Sequence, residues 1–199
     1  MKYFDTLPKI AETDYNGITR VFTNLMSRAS IVPELLKNPA IYYSYDIQEG
    51  DTPEIIAHKY YGNSYRYWIV LLANEILDPQ WQWPISQKVF NDYIIGKYGS
   101  ISNAGSTIHH YEKTLTQYEH NTLITTSNTI NIDLETYNAT YETTKTYTLP
   151  TGDVTVTISK AIVDMYNYEM NLNESKRNIK ILNSSYVNEI EKEFETLMA

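Results

Sequence analysis

The stretch YDIQEGDTPEIIAHKYYGNSYRYWIVLLANEILDP, residues 45–79, carries the clearest folding signals in the chain. Leading into it, bulky side chains alternate with small or acidic ones between Ile41 and Ile47, which is typical of a half-buried strand. Gly50 then permits the positive φ that a tight turn requires. A strand followed by a turn is therefore expected at the start of this stretch.

Two short helices are predicted after the turn. Asp51 or Thr52 can cap the first helix, and Gly62 supplies a left-handed C-terminal cap. The second helix is expected to begin near Ser64 and to be closed by Pro79. The side chains expected to face a core from these two helices are Ile55, Ile56, Tyr60, Trp68, Leu71 and Leu72.

Composition limits the classes of protein that the chain can belong to. Its 199 residues can form one or two small domains with a real core. A net charge of -8, without a cluster of basic residues, disfavours binding to nucleic acid. The chain has no cysteine, so disulfides and cysteine zinc sites are excluded. Neither a signal peptide nor a membrane-spanning run is visible, so a soluble protein made in the cytosol is expected.

The residues that could carry chemistry are better explained by structure. Glu49, Asp51 and Glu54 could form a carboxylate pair, but acids at a turn and a helix N-terminus are normal caps. His109 and His110 are adjacent, so in a strand they point to opposite faces and do not form a metal site. We therefore predict no catalytic residue, no metal and no cofactor, and we expect that the protein is not an enzyme.

A Thr-, Tyr- and Asn-rich region follows, from about Ile108 to Leu149. Its segments TLITT, TINID and YNATYETTKTYTL are strand candidates, because β-branched and aromatic residues favour sheets over a disordered linker. The turn PTGD at residues 150–153 lies between KTYTL and VTVTIS and predicts a hairpin. This region is therefore interpreted as a β insertion.

The C-terminal part is predicted to contain a strand and two short helices. Tyr166, Tyr168, Met170 and Leu172 alternate with polar residues and predict the strand. Asn173 is expected to cap a helix that runs through Leu182. Ser184 or Ser185 is expected to start a second helix, with a stripe on one face that consists of Tyr186, Ile190, Phe194 and Leu197. This stripe could pack on the protein's own core or on a partner helix.

Trp81 and Trp83 lie two residues apart beside prolines. An extended backbone there would place both rings on one side. The two rings could cover the helices, stack on glycan or anchor a protein interface.

The residues from Tyr45 to Pro79 resemble a LysM module, in which two strands and two helices follow the order β-α-α-β. The longer run from Tyr42 to Gly99 resembles the LysM-like baseplate wedge subunit of T-even-type contractile-tailed bacteriophages. The segment from Tyr168 to Met198, with YEMNLNESKRNIKIL, resembles the C-terminal end of that subunit. Residues 1–40 resemble it more loosely, through YFDTLPKI and ITRVFTNLMSR.

The resemblance predicts an α+β protein with four segments. Residues 1–40 form a wedge-contact segment and residues 41–99 a small LysM-like domain. Residues 100–160 form the β insertion, and residues 161–199 the C-terminal strand and helices. Two terminal helices add little to a core closed by earlier strands, so a chain truncated after Leu172 is expected to keep its LysM-like domain folded but to lose assembly.

The resemblance also implies a structural function. Such a subunit clamps neighbouring wedge proteins and promotes closure of wedges into the sixfold baseplate around the central hub. Its partners are other wedge subunits, and it is found in the virion tail baseplate after assembly in the host bacterial cytoplasm. The residues expected to contact partners are Trp81, Trp83, Lys176, Arg177, Tyr186, Ile190, Phe194 and Leu197.

The alternative is a LysM-type module that binds peptidoglycan or chitin. Such modules usually come with tandem repeats, Ser/Thr/Pro-rich linkers, an export signal or a fused hydrolase, and the sequence has none of these. Glycan binding is therefore the less favoured prediction.

Overall fold

The computed structural model describes residues 2–31 and 38–198. Parts of the predicted segments 1–40 and 161–199, namely residues 1, 32–37 and 199, lie outside the described residues. The fold is α+β, as predicted, and the chain divides into two compact units. The first unit comprises residues 1–86 and 173–199, and the inserted unit comprises residues 87–172. Within the described residues, no helix has the length and apolar character needed to cross a membrane.

The first unit is built on two small antiparallel sheets and several short helices. A hairpin of β1 (Lys9–Thr13) and β2 (Thr19–Thr23) forms one sheet. The other pairs β3 (Tyr42–Asp46) with β8 (Asn178–Leu182), in a register that sets Tyr42 opposite Leu182 and Asp46 opposite Asn178. The helices are α1 (Pro53–Tyr61), α2 (Tyr67–Ala73), α3 (Pro79–Gln82) and α8 (Val187–Met198).

Local signals explain α1. The Thr52 side chain accepts a hydrogen bond from the Ile55 amide, Pro53 occupies the first turn, and Gly62 has a φ of 66°. The predicted bounds of this helix are therefore confirmed. The buried face of α1 differs from the prediction. Ile55 and Tyr60 are exposed, and the buried residues are Pro53, Ile56, Ala57 and Tyr61.

The core of the first unit is assembled from both ends of the chain. The N-terminal segment contributes Leu7, the helices α1 and α2 contribute most of the middle, and β8 and α8 close it. Trp68 lies with its ring centroid 4.8 Å from that of Phe194. The buried apolar residues of the C-terminal part are Ile179, Ile181, Leu182, Val187, Phe194 and Met198.

Two predictions for the C-terminal part are wrong. Residues Met165–Glu174 form a helix, α7, and not a strand; the Asp164 carboxylate caps it by accepting a hydrogen bond from the Asn167 amide. The segment Asn178–Leu182 is the strand β8 and not the continuation of a helix. The predicted last helix is confirmed as α8, preceded by a 3-10 turn at Ser184–Tyr186.

The inserted unit is a four-stranded antiparallel sheet with helices. The sheet order is β5-β4-β7-β6, with β4 (Ile108–Glu119), β5 (Ile124–Ile132), β6 (Thr143–Leu149) and β7 (Gly152–Asp164). The helices are α4 (Gln87–Tyr98), α5 (Ile101–Ser106), α6 (Leu134–Ala139) and the part of α7 up to Leu172.

The predicted strands of this region are confirmed, including the hairpin through the PTGD turn, where Leu149 pairs with Gly152. One part of the prediction is wrong, because Tyr137 to Ala139 belong to α6. Asp133 caps this helix by accepting a hydrogen bond from the Thr136 amide, a local signal that the strand prediction overlooked. The division into four segments remains a prediction, as does the assignment of the β3–α1–α2–β8 arrangement to the LysM type.

Candidate assembly surfaces

The turn between β3 and α1 is fixed by the Asp51 carboxylate. It accepts hydrogen bonds from the Tyr45 hydroxyl at 2.6 Å, the Lys59 ammonium at 2.7 Å and the Gln48 amide at 3.1 Å. Burial alone would raise the pKa of Asp51, but the hydrogen bonds from Lys59 and Tyr45 outweigh it and hold this pKa below its usual value. An ionised carboxylate with three donors is a structural group, in agreement with its interpretation as a turn residue, while the cap of α1 is Thr52 and not Asp51.

The C-terminal segment NESKR, residues 173–177, contacts the turn between β3 and α1 through Arg177. The Asn173 side chain accepts a hydrogen bond from the Ile85 amide at 2.9 Å and donates one to the Ile85 carbonyl at 3.1 Å. The Arg177 guanidinium donates to the Ile47 carbonyl at 3.1 Å and to Glu174 at 2.7 Å, and it lies 3.6 Å from the Glu49 carboxylate. The segment therefore ties two distant parts of the first unit together.

A cavity of about 180 Å³ lies beside this segment. It is lined by the turn residues 48–52, by Pro84 to Ser86 and by Arg177. Among the described residues, no group of three or more acidic or histidine side chains is arranged to hold a metal ion.

The two predicted basic contact residues therefore have roles inside the chain. Lys176 donates a hydrogen bond to the Trp81 carbonyl at 2.8 Å, and Arg177 donates hydrogen bonds to the Ile47 carbonyl and the Glu174 carboxylate. Both side chains are half-buried. Their contact with a partner remains a prediction, and the structure supplies intramolecular reasons for both residue types.

Trp81 and Trp83 do not form the paired surface that was predicted. Asp78 caps α3, so Trp81 lies on a helical turn and not on an extended backbone, with 66% of its surface exposed. Trp83 is buried, and its indole N–H donates to the Asp51 carbonyl at 3.0 Å. Trp81 alone is therefore available as an aromatic anchor, and Pro79 starts a helix where it was expected only to end one.

The predicted stripe on the last helix is divided between core and surface. Phe194 is 3% exposed and packs against Trp68 and Tyr3, and Ile190 is half-buried beside the same core. Leu197 is 71% exposed, and Tyr186 is also exposed. Arg66 holds the helix in place by donating to Glu191 at 2.9 and 3.0 Å and to the Tyr61 carbonyl at 3.0 Å.

The N-terminal hairpin carries exposed apolar side chains that are not predicted from the sequence. Large side chains on or next to its strands are open to solvent, namely Ile10, Ile18, Val21, Phe22, Leu25 and Met26. The β-branched and aromatic residues of TRVFT are a signal for the strand, but not for its exposure. An isolated two-stranded hairpin is marginally stable in water, so exposed apolar residues on it favour a partner.

Two comparisons with known proteins point in the same direction. The family described as base plate wedge protein 53 matches residues 18–197, which is most of the chain and includes parts of both units. The chain is also similar to the baseplate wedge protein gp53 of Enterobacteria phage T4, with 34% identity over 58 residues. That stretch covers 29% of this chain and 30% of the phage T4 protein, so it spans less than a third of that relative.

Proposed function

Because the chain belongs to the base plate wedge protein 53 family, we propose that it clamps neighbouring wedge proteins and promotes closure of wedges into the sixfold baseplate around the hub. Membership in this family gives the chain a structural role in the tail baseplate of a phage virion. Assembly in the host bacterial cytoplasm and action without enzymatic chemistry are parts of the same proposal. The observation that carries it is the family match over residues 18–197.

Exposed apolar side chains support a clamp made by the first unit. Trp81, Tyr186 and Leu197 are accessible there, and Val21 and Met26 extend the accessible apolar surface to the hairpin region. Aromatic and large apolar residues are the types that anchor protein interfaces. Phe194 is left out of this proposed surface because it lies in the core.

The proposal is tested by reconstitution. Purified wedge proteins of the same phage are mixed with the full-length chain, and the products are sized by sedimentation and viewed by electron microscopy. We expect closed sixfold rings only when the chain is present. Rings of equal yield without the chain would refute the proposed function.

Point variants then test the contact surface. Leu197→Asp and Val21→Asp each place a charge at an exposed apolar position and are expected to reduce ring yield at least tenfold. Thr196→Asp is the matched control, since Thr196 is an exposed polar residue on the same helix. If both test variants close rings as well as the control does, the clamp uses another surface.

A further inference from the structure

The sheet of the inserted unit has two chemically different faces. Residues that pair directly across antiparallel strands point to the same face, so the register assigns each side chain. Along β7, Val154, Val156 and Ile158 point to one face, and the hydroxyl residues that alternate with them, Thr155, Thr157 and Ser159, point to the other. The first face is called the apolar face below. Its exposed large side chains are Leu115, Ile124, Ile130, Tyr147, Leu149 and Ile162.

The opposite face is satisfied by its own hydroxyl groups. Threonine and serine side chains form hydrogen bonds across the strands, with Thr114 to Thr129 at 2.8 Å and Thr146 to Thr155 at 2.9 Å as the shortest. The pairs Thr144–Thr157 and Thr116–Ser127 repeat the arrangement at 3.2 and 3.3 Å. A face of this kind is suited to water and needs no covering layer.

The apolar face remains accessible in the described chain. The strand β4 is internal to the sheet, yet none of its 12 residues is buried. The helix α6 covers only one end of the face, where the Tyr137 ring lies 4.9 Å from that of Tyr111 and its carbonyl accepts a hydrogen bond from Lys160. Antiparallel sheets normally bury one face against a second layer. Here the second layer has to come from elsewhere.

Charge and size indicate what that layer is. Lys113, Lys145 and Lys160 lie on the apolar face, and the strand residues Glu119 and Asp164 balance them only in part, which leaves the face with a net positive charge. A second copy of the face would bring lysines against lysines. From a strand spacing of about 4.8 Å and a rise of about 3.4 Å per residue, the face measures roughly 20 by 30 Å. That is about 600 Å², below the roughly 800 Å² per partner of a standard stable interface.

We infer that the apolar face of the inserted sheet docks a neighbouring wedge protein, through a contact surface of that protein that is apolar and bears carboxylates. This inference rests on the proposed function, since it takes the partner to be a wedge protein. It assigns to the insertion a contact separate from the clamp of the first unit, so that the chain has two surfaces for assembly.

The test uses the full-length chain with one changed residue at a time. Ile130→Glu places a charge on the apolar face at a position that is 50% exposed and opposite Lys113, so the sheet tolerates it. Thr125→Glu is the matched control on the same strand and the opposite face. Lys145→Glu reverses a charge on the apolar face without removing apolar surface. Each variant is titrated into purified wedge proteins, and thermal melting verifies that it is folded.

We expect Ile130→Glu and Lys145→Glu to weaken association at least tenfold and Thr125→Glu to leave it unchanged, with the effect of Lys145→Glu reduced at high salt. A wild-type chain that associates and closes rings, together with an Ile130→Glu variant that associates equally well, overturns this inference and leaves the proposed function standing. A wild-type chain that binds no wedge protein overturns both. A wild-type dimer in solution that Ile130→Glu dissociates assigns the face to a second copy and also overturns the inference.

Discussion

A chain truncated after Leu172 is expected to have an unfolded first unit, because β8 and α8 complete the core of that unit. The expectation that such a chain keeps its LysM-like domain folded is therefore wrong. The truncated chain lacks the strand β8, which is the partner of β3, and the helix α8. Six buried apolar side chains are lost with these elements. At about 1.5–3 kcal/mol for each buried side chain, the loss amounts to roughly 9–18 kcal/mol. The stability of a whole domain is only about 5–15 kcal/mol, so the remaining part of the unit cannot stay folded.

Tryptophan fluorescence reports on this unit selectively. All three tryptophans of the chain, Trp68, Trp81 and Trp83, lie in the first unit, and two of them are buried. Truncation should therefore shift the emission to the wavelength of solvent-exposed indole, while circular dichroism retains the signal of the inserted sheet. A truncated chain with the emission maximum and cooperative melting of the full-length protein would refute the reasoning, and with it the role of β8 in closing the core.

Single substitutions on β8 test how much its buried side chains stabilise the first unit. Ile181→Ala removes a fully buried side chain of β8 and should cost about 2–5 kcal/mol in urea unfolding. Asn178→Ala, at an exposed position on the same strand, is the control and should cost much less. Equal effects of the two changes would mean that the packing of Ile181 in the core stabilises the unit no more than the exposed hydrogen bonds of Asn178 with Ser44 and Asp46.

Three further predictions concern the core, pH and glycan. Trp68→Ala should cost about 3–5 kcal/mol in the free energy of unfolding; Trp68→Phe should cost less, because no described residue accepts a hydrogen bond from the buried indole N–H. Burial alone would raise the pKa of Glu169, but hydrogen bonds from Lys97 and Tyr98 lower it, so Glu169 stabilises the inserted unit above its unfolded pKa and this contribution is lost as the pH falls through the lower folded value. Acid titration of Glu169→Gln should therefore show a smaller loss of stability as the pH falls below the ordinary pKa of a glutamate, and an unchanged curve would contradict the assignment. Insoluble peptidoglycan should not retain the protein in a pull-down, and retention that Trp81→Ala abolishes would favour the glycan-binding alternative.

The elements predicted correctly are those with local signals. The cap at Thr52, the proline after it and the left-handed Gly62 define α1 within a dozen residues, and the alternation in VTVTIS defines a strand in the same way. No distant residue is needed for either. The prediction succeeds for these two elements because neighbours in sequence decide the structure, whereas in α6 it overlooked a signal of the same local kind, the Asp133 cap.

The helix α7 was misread because polar residues form part of its buried face. Glu169 and Asn173 are buried at helical spacing, and their charges and amides are satisfied by residues far away in sequence, Lys97 and Ile85. If every polar residue is counted as exposed, the large side chains of this segment alternate with exposed positions, and a strand is predicted. These large side chains are Tyr166, Tyr168, Met170 and Leu172. The burial of a hydrogen-bonded polar group depends on tertiary contacts that the local sequence does not contain.

The local sequence does not show which of the predicted partner-contact residues are exposed, for a related reason. Trp81 and Trp83 are identical side chains two positions apart, but only one of them meets the Asp51 carbonyl and the core. Phe194 and Leu197 share a stripe in the sequence, while the core occupies only part of that stripe. Whether an apolar residue is covered by its own chain is decided by the position of other elements.

Because β3 pairs with β8, the first unit cannot complete its fold until nearly the whole chain has been synthesised. Asp46 and its partner Asn178 are 132 residues apart, and the whole inserted unit is translated between them. At about 5–20 residues per second, β3 leaves the ribosome roughly 7–26 s before its partner exists. A ribosome that stalls in this interval releases a chain whose first unit is open. The surfaces of that unit are therefore presented only by chains translated through β8 and α8, which makes the split arrangement a checkpoint against incomplete chains entering the assembly.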